Sequence, residues 1–305
     1  MVNKGIEVSA FVVPVRTANF SWIANLNFTR NRNELVELYS QDGVPVTNIP
    51  ISVNGVAFQG GVTLNAAVGH PYGVIRGTNY TYHPDNGQPV VNASGYYLPT
   101  ASSNEIIGDP NPSWLGGINN TLKYKNLSLS FLVDIRHGGD IFSLDMWYGD
   151  GSGVTPITAG LNDKGNPKRD RVAEGGGVLL PGVNQDGTPN TTYAENYNGS
   201  GATAYGYVAN GGGGAPRAAY VYDGSYVKLR EAAITYTIPA SLLTGLKFVK
   251  GIDVSVIGRN LWIIHKNMEY SDPEESMSSG NTAMGYQSGA YPTVRNYGFN
   301  VKFRF

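Results

Sequence analysis

The sequence predicts an all-β protein, an antiparallel transmembrane β-barrel segment of about ten strands with long polar loops. Three observations carry this expectation. Apolar residues recur at every second position in runs about ten residues long, the length that crosses a bilayer at a tilt. Aromatic residues gather near the ends of those runs, where an interfacial girdle would sit: Phe20, Trp22, Phe28, Tyr124, Trp147, Tyr148 and Trp262. Between the runs lie stretches rich in Gly, Asn, Pro and Thr that a compact soluble domain would not tolerate.

The elements follow in order. Met1-Val2-Asn3-Lys4-Gly5-Ile6-Glu7 reads at once as a strand and carries no signal-peptide core. Phe20, Trp22, Ala24, Leu26 and Phe28 alternate with mostly polar neighbours. Ile118, Leu122 and Tyr124 interleave with Asn119, Thr121 and Lys123. Lys125-Asn126 makes a natural turn into Leu127, Leu129, Phe131, Val133 and Ile135. Together these two runs predict a tight hairpin. Ile234, Tyr236 and Ile238 share a face opposite Thr235 and Thr237, and Pro239 closes that strand where a missing donor costs least. Ile252, Val254 and Val256 alternate with Asp253 and Ser255. The last run sets Tyr297, Phe299, Val301, Phe303 and Phe305 against Gly298, Asn300, Lys302 and Arg304. The stretch 149–220 holds the Gly175–Gly177 and Gly211–Gly214 runs and reads as long loop.

Composition removes several function classes. The 305 residues include 40 Gly and 17 Pro, and only 15% are charged, well under the usual share of about 25%. Against 23 acidic residues stand 22 basic ones, a net charge of −1 that offers nucleic acid no attractive field. There is no cysteine, hence no disulfide, thiolate metal site or cysteine nucleophile.

Site chemistry is sparse. His70, His83, His137 and His265 show no metal-ligand spacing, so no metal or cofactor is expected. Asp109, Asp140, Asp145 and Asp150 invite a glycosidase reading, but nothing in the sequence makes two carboxylates converge, and loop aspartates beside Gly usually form turns. No catalytic residue and no enzyme activity are expected. Asn184-Gln185-Asp186-Gly187 lacks the further acidic ligands of a calcium loop and predicts a turn. Trp147, Tyr193, Tyr197, Tyr205 and Tyr207 are the candidate ligand-contacting aromatics of the loops.

Gly108-Asp109-Pro110-Asn111-Pro112-Ser113-Trp114-Leu115-Gly116-Gly117-Ile118-Asn119, then Tyr124-Lys125-Asn126-Leu127, resembles the barrel of SusC/RagA-family TonB-dependent transporters of Bacteroidetes. So do Asp223-Gly224-Ser225-Tyr226-Val227-Lys228-Leu229-Arg230, Gly258-Arg259-Asn260-Leu261-Trp262, Asp272-Pro273-Glu274 and Tyr291-Pro292 before the final strand. The ordered series covers essentially the whole chain.

The resemblance implies the C-terminal portion, residues 1–305, of an outer-membrane barrel with about 22 strands and a plugged lumen. It implies import of nutrients (oligosaccharides or peptides), a SusD-like surface lipoprotein as partner, energy from the TonB complex, and insertion by the barrel-assembly machinery. The terminal row ending at Phe305 is then the assembly signal, and Arg259 faces the lumen. Plug domain, TonB box and signal peptide have no counterpart in the sequence, so the chain alone is expected not to transport. The alternative is a secreted, soluble β-sandwich that binds carbohydrate. The two readings differ over whether the Leu127–Ile135 and Tyr297–Phe305 rows meet lipid or a second sheet.

Overall fold

Seven long strands hold the alternating segments: β1 (Val2–Arg16), β2 (Phe20–Glu34), β3 (Trp114–Tyr124), β4 (Leu127–His137), β5 (Tyr226–Thr237), β6 (Gly251–Lys266) and β7 (Asn296–Arg304). The computed structural model describes residues 1–52, 59–196, 215–246, 248–274, 283–289, 291 and 293–305. The long strands pair in chain order as one antiparallel up-and-down sheet. Among the described residues β1 and β7 each have a neighbour on one side only. Other strands are short, such as Glu105–Gly108 and Asp140–Ser143, and too brief to cross a bilayer. They belong to the loops, which accounts for seven long strands in the sheet against the about ten expected from sequence rhythm.

Register turns the alternation into rows across the sheet. Trp22 opposes Leu122, which opposes Leu129, then Ile234, Val256 and Phe299. Toward one end lies the row Phe20, Tyr124, Leu127, Tyr236, Val254 and Val301. Toward the other lies Ala10, Leu26, Ile118, Val133, Leu229 and Trp262. No described layer covers this oily face. Phe299 is 83% and Phe305 77% exposed, and Leu127, Ile234 and Val256 are exposed as well. A soluble sandwich would bury these rows beneath a second sheet. Asn120, a polar residue on this face, accepts a hydrogen bond from Trp22 Nε1 at 3.0 Å.

Dimensions fit a bilayer. The eleven residues of β3 carry Trp114 at one end and Tyr124 at the other. Ten rises of about 3.4 Å give about 34 Å, which at a tilt of about 40° spans about 26 Å, close to the apolar band of an outer-membrane barrel. Phe28, Trp114 and His137 cluster at one border, His137 stacking on Trp114 at 5.4 Å. Phe20, Tyr124 and Tyr236 mark the other. No described helix is long and apolar enough to cross a membrane.

The two ends of the sheet differ. At one end two of the three connections are tight turns, and the third runs from 238 to 250. Lys125-Asn126 closes the β3–β4 hairpin with Lys125 at φ 50°, a left-handed conformation that L side chains seldom adopt and that a two-residue hairpin turn favours. Thr17 Oγ1 accepts from Phe20 N at 3.0 Å in the β1–β2 turn. Pro239 follows β5 as the sequence predicts. At the opposite end every connection is long, and these loops build a body with its own core. A four-stranded sheet (Asn48–Pro50, Thr63–Ala67, Val74–Gly77, Glu105–Gly108) and a three-stranded one (Val221–Asp223, Asp140–Ser143, Tyr286–Gln287) enclose Val62, Leu64, Ile75, Phe142, Leu144, Tyr220 and Tyr286. Helix α1 (Leu144–Ser152) leaves this sheet, capped by the Ser143 hydroxyl accepting from Met146 N at 3.2 Å and stopped by Gly153 in the left-handed region.

Candidate functional site

Two arrangements carry chemistry: the hydrophilic face of the sheet and a cavity in the loop body. On the sheet, Ser128, Thr235, Ser255 and Asn300 share a cross-strand row opposite the oily one. Arg259 lies on this hydrophilic face, where its Nε donates to Glu231 at 2.7 Å, as the sequence requires of an arginine that must avoid lipid.

Where β5 nears the loops, a bulge inserts Arg230 between Leu229 and Glu231. That extra residue sets Lys228, Arg230 and Glu231 together on the hydrophilic side. Lys228 donates to Asp272 and, at 2.6 Å, to Glu274. Arg230 donates to Asp134 Oδ2 through Nη2 at 2.6 Å and Nε at 2.8 Å, and to Glu274. The Tyr226 hydroxyl reaches Glu274 at 3.1 Å, and Thr293 bonds Asp272. Lys228 and Asp272 are 5% and 7% exposed, so their charges are tolerable only as partners. Burial raises the pKa of Glu274, but hydrogen bonds from Arg230 and Lys228 outweigh it and hold the carboxyl down at about 2. Asp272 is likewise held below its usual value: burial works against this, and bonds from Lys228 and Thr293 prevail. The cluster pins the 267–274 segment to the hydrophilic face of β5. Sequence motifs mark Asp272-Pro273-Glu274, but the pairing with Lys228 spans 44 and 46 residues and is invisible to local pattern.

The cavity of about 420 Å³ lies among the loops. Tyr80, Tyr96, Tyr97, Tyr220 and Tyr222 line it, with Asp150 and Lys168 as its charged groups. Tyr80 meets Tyr97 edge-on at 5.1 Å and 84°. The Tyr96 hydroxyl donates to the Glu195 carbonyl at 2.9 Å. Burial pushes the Tyr80 and Tyr222 hydroxyls up to about 12, with neighbouring phenols or Asp150 adding to the shift, so they remain donors. Asp150, 6% exposed, is raised by desolvation, opposed by a hydrogen bond from the Thr155 hydroxyl.

The aromatics singled out from sequence fall differently. Trp147 sits in α1, edge-on to Tyr148 at 4.8 Å, beneath the Arg217 guanidinium at 5.1 Å and packed on the loop core. Tyr193 donates to Asp163 at 2.6 Å under the Lys164 ammonium, on the surface of the same body. Tyr197, Tyr205 and Tyr207 lie outside the described residues, as does the Gly211–Gly214 run. Neither Trp147 nor Tyr193 lines the tyrosine cavity, whose described residues come from four distant stretches without a shared motif. Asp109 and Asp140 serve turns: Asp140 accepts from Asp109 N at 2.8 Å and Asp109 from Asn111 N at 2.9 Å. Asp145 accepts from Gly289 N at 2.8 Å. Asn184–Gly187 closes as a turn, Gly187 N donating to Asn184 O at 3.0 Å. Among the described residues no three His, Cys, Asp or Glu side chains are grouped to hold a cation. Tyr297, Phe299, Val301, Phe303 and Phe305 share the exposed oily face at the sheet edge.

No protein-family model matches the sequence. Among curated proteins, TonB-dependent receptor P3 of Formosa agariphila is 27% identical over 322 residues, covering 99% of this chain and 28% of the relative. TonB-dependent receptor P26 of the same organism is 27% identical over 332 residues, covering 99% and 29%. The chain therefore spans less than a third of the relatives' length. Among solved structures, the RagAB peptide transporter superposes with a TM-score of 0.60 at 17% identity over 99% of this chain and 29% of that one. The closed-closed state of the RagAB peptide importer gives 0.59 at 17% over the same shares. Sequence and fold thus point the same way: over nearly its whole length the chain is similar to TonB-dependent receptors, and its fold is that of a part of RagAB, as the SusC/RagA resemblance implies.

Proposed function

We propose that this chain forms part of the wall and surface loops of an active importer of nutrients, oligosaccharides or peptides, energised through TonB. In this reading residues 1–305 are the C-terminal portion of the barrel, and plug and TonB box belong to other parts of the receptor. A SusD-like lipoprotein covers the loop body and delivers cargo, and the barrel-assembly machinery reads the strand ending at Phe305. The reading is of a transporter and not an enzyme.

The observation that carries the proposal is the sheet. Among the described residues seven strands run in chain order with one continuous oily face outward, ion-paired side chains inward and two edges without neighbours. Unpaired backbone groups cost several kcal/mol each in lipid, so such a sheet needs further strands to close. The chain alone then does not transport.

Complementation tests this. A strain lacking the receptor is supplied with the intact receptor or with this chain alone and grown on peptide or polysaccharide digests. Uptake is expected only with the intact receptor, only with functional TonB, and only with the lipoprotein present. Uptake by the chain alone, or uptake indifferent to TonB, contradicts the proposal.

A further inference from the structure

We propose that the tyrosine-lined cavity of the loop body is a subsite for a bulky apolar side chain of a peptide, with Asp150 accepting an N–H group of the same peptide. The inference rests on the importer reading above and narrows its cargo.

Volume and wall chemistry both point there. About 420 Å³ lies within the usual range of roughly 300–1,000 Å³ for small-molecule sites. Beyond the tyrosines and the two charged residues the described wall is aliphatic, with Ile157, Val178, Leu179, Leu180 and Pro181, and the described lining includes no amide side chain. A sugar ring carries hydroxyls around its whole edge, and each one that loses water needs a partner. Beyond the phenols, Asp150 and Lys168, the described wall offers no side-chain partner. The Tyr96 hydroxyl is already committed to the Glu195 carbonyl, and the edge-on packing of Tyr80 with Tyr97 removes a flat face on which a sugar would stack. An apolar side chain loses nothing by entering and gains the area it buries.

The two charges fit a peptide backbone. Asp150 is nearly enclosed, bonded by the Thr155 hydroxyl and, among the described residues, in no ion pair. An ionised carboxylate accepts through about four lone pairs, so an entering amide N–H or ammonium meets unused capacity in a poorly hydrated setting. Lys168, half-buried and in no ion pair among the described residues, offers an ammonium to a peptide carbonyl or carboxylate. Donor-seeking and acceptor-seeking groups around an apolar pocket match a chain that alternates N–H and C=O beside its side chains.

Calorimetry on the detergent-purified intact receptor tests this with trileucine, trialanine and a linear glucose trisaccharide. Trileucine is expected to bind at least about tenfold more tightly than trialanine, since each leucine buries several more methyl(ene) groups. Asp150→Asn is expected to weaken trileucine at least about tenfold. Ile157→Asp tests the mouth at a position 58% exposed, where folding does not depend on the side chain; it too weakens trileucine, with an unchanged melting temperature. Three results overturn the proposal: no trileucine binding, trileucine affinity unmoved by both variants, or trisaccharide binding lost in those variants. A receptor that imports sugar while ignoring trileucine defeats the cargo inference and leaves the importer intact. The importer reading itself falls only to the complementation assay above.

Discussion

Val133 and Leu132 are neighbours in β4 at one depth of the sheet, pointing to opposite sides. Val133 lies in the oily row between Ile118 and Leu229, midway between the two aromatic borders. Leu132 lies between Asn119 and Glu231 on the hydrophilic face. An arginine at Val133 must place its guanidinium at the bilayer midplane, which costs about 2–4 kcal/mol in outer-membrane barrels. At 1.4 kcal/mol per decade this is roughly a 30- to 700-fold loss in the folding equilibrium. The same arginine at Leu132 faces water beside the Glu231 carboxylate and is expected to cost under about 1 kcal/mol. Leu127→Arg, on the oily face but at the border, is expected to cost only roughly 0–1 kcal/mol, close to the Leu132 variant. The assay is denaturant titration of the receptor reconstituted in phospholipid vesicles, followed by heat-modifiable electrophoretic mobility. Equal costs at 132 and 133, or a larger one at 132, would refute the assignment of lipid and water sides.

Other outcomes follow from the same geometry. Lys228→Met leaves Asp272 buried without its cation and is expected to cost about 3–5 kcal/mol, read as new proteolytic cutting within 267–274. Acid should free that segment by a different route. The Glu274 carboxyl is depressed to about 2 from an ordinary value of 4.5, so its contribution is complete above pH 4.5 and lost as pH falls toward 2. Hydrogen-exchange protection of 267–274 should therefore be flat from pH 8 to 5 and decline below; a decline beginning at pH 7 would contradict this. Trp22→Phe removes the donor to Asn120 on the oily face, and an orphaned amide there is expected to cost about 1–3 kcal/mol. Adding Asn120→Ala should recover most of that loss in a double-mutant cycle.

The sheet was legible because its physics is local. Period two places Leu129 and Phe131 on one face before any partner is known, and Lys125-Asn126 announces its own turn. Arg259 could be assigned a side because lipid forbids the other. The loop body was not legible, because its core joins residues far apart in the chain. Phe142 stacks on Tyr286 at 5.7 Å, and Tyr220 joins the same cluster from between them in sequence. The bulge at Arg230, which gathers the ionic cluster, breaks the alternation that a pattern reading relies on. Trp147 faces the loop core, while Tyr80 and Tyr97, which line the cavity, lie in a stretch with no alternating signal.

Nitroxide scanning of residues 127–136 in the vesicle-reconstituted receptor tests the central claim most directly. Collision with lipid-soluble oxygen should peak at 127, 129, 131, 133 and 135, and collision with a water-soluble nickel chelate should peak at the even positions between them. Odd positions shielded from both reagents would mean that protein covers the oily face, and the membrane-spanning account would be contradicted.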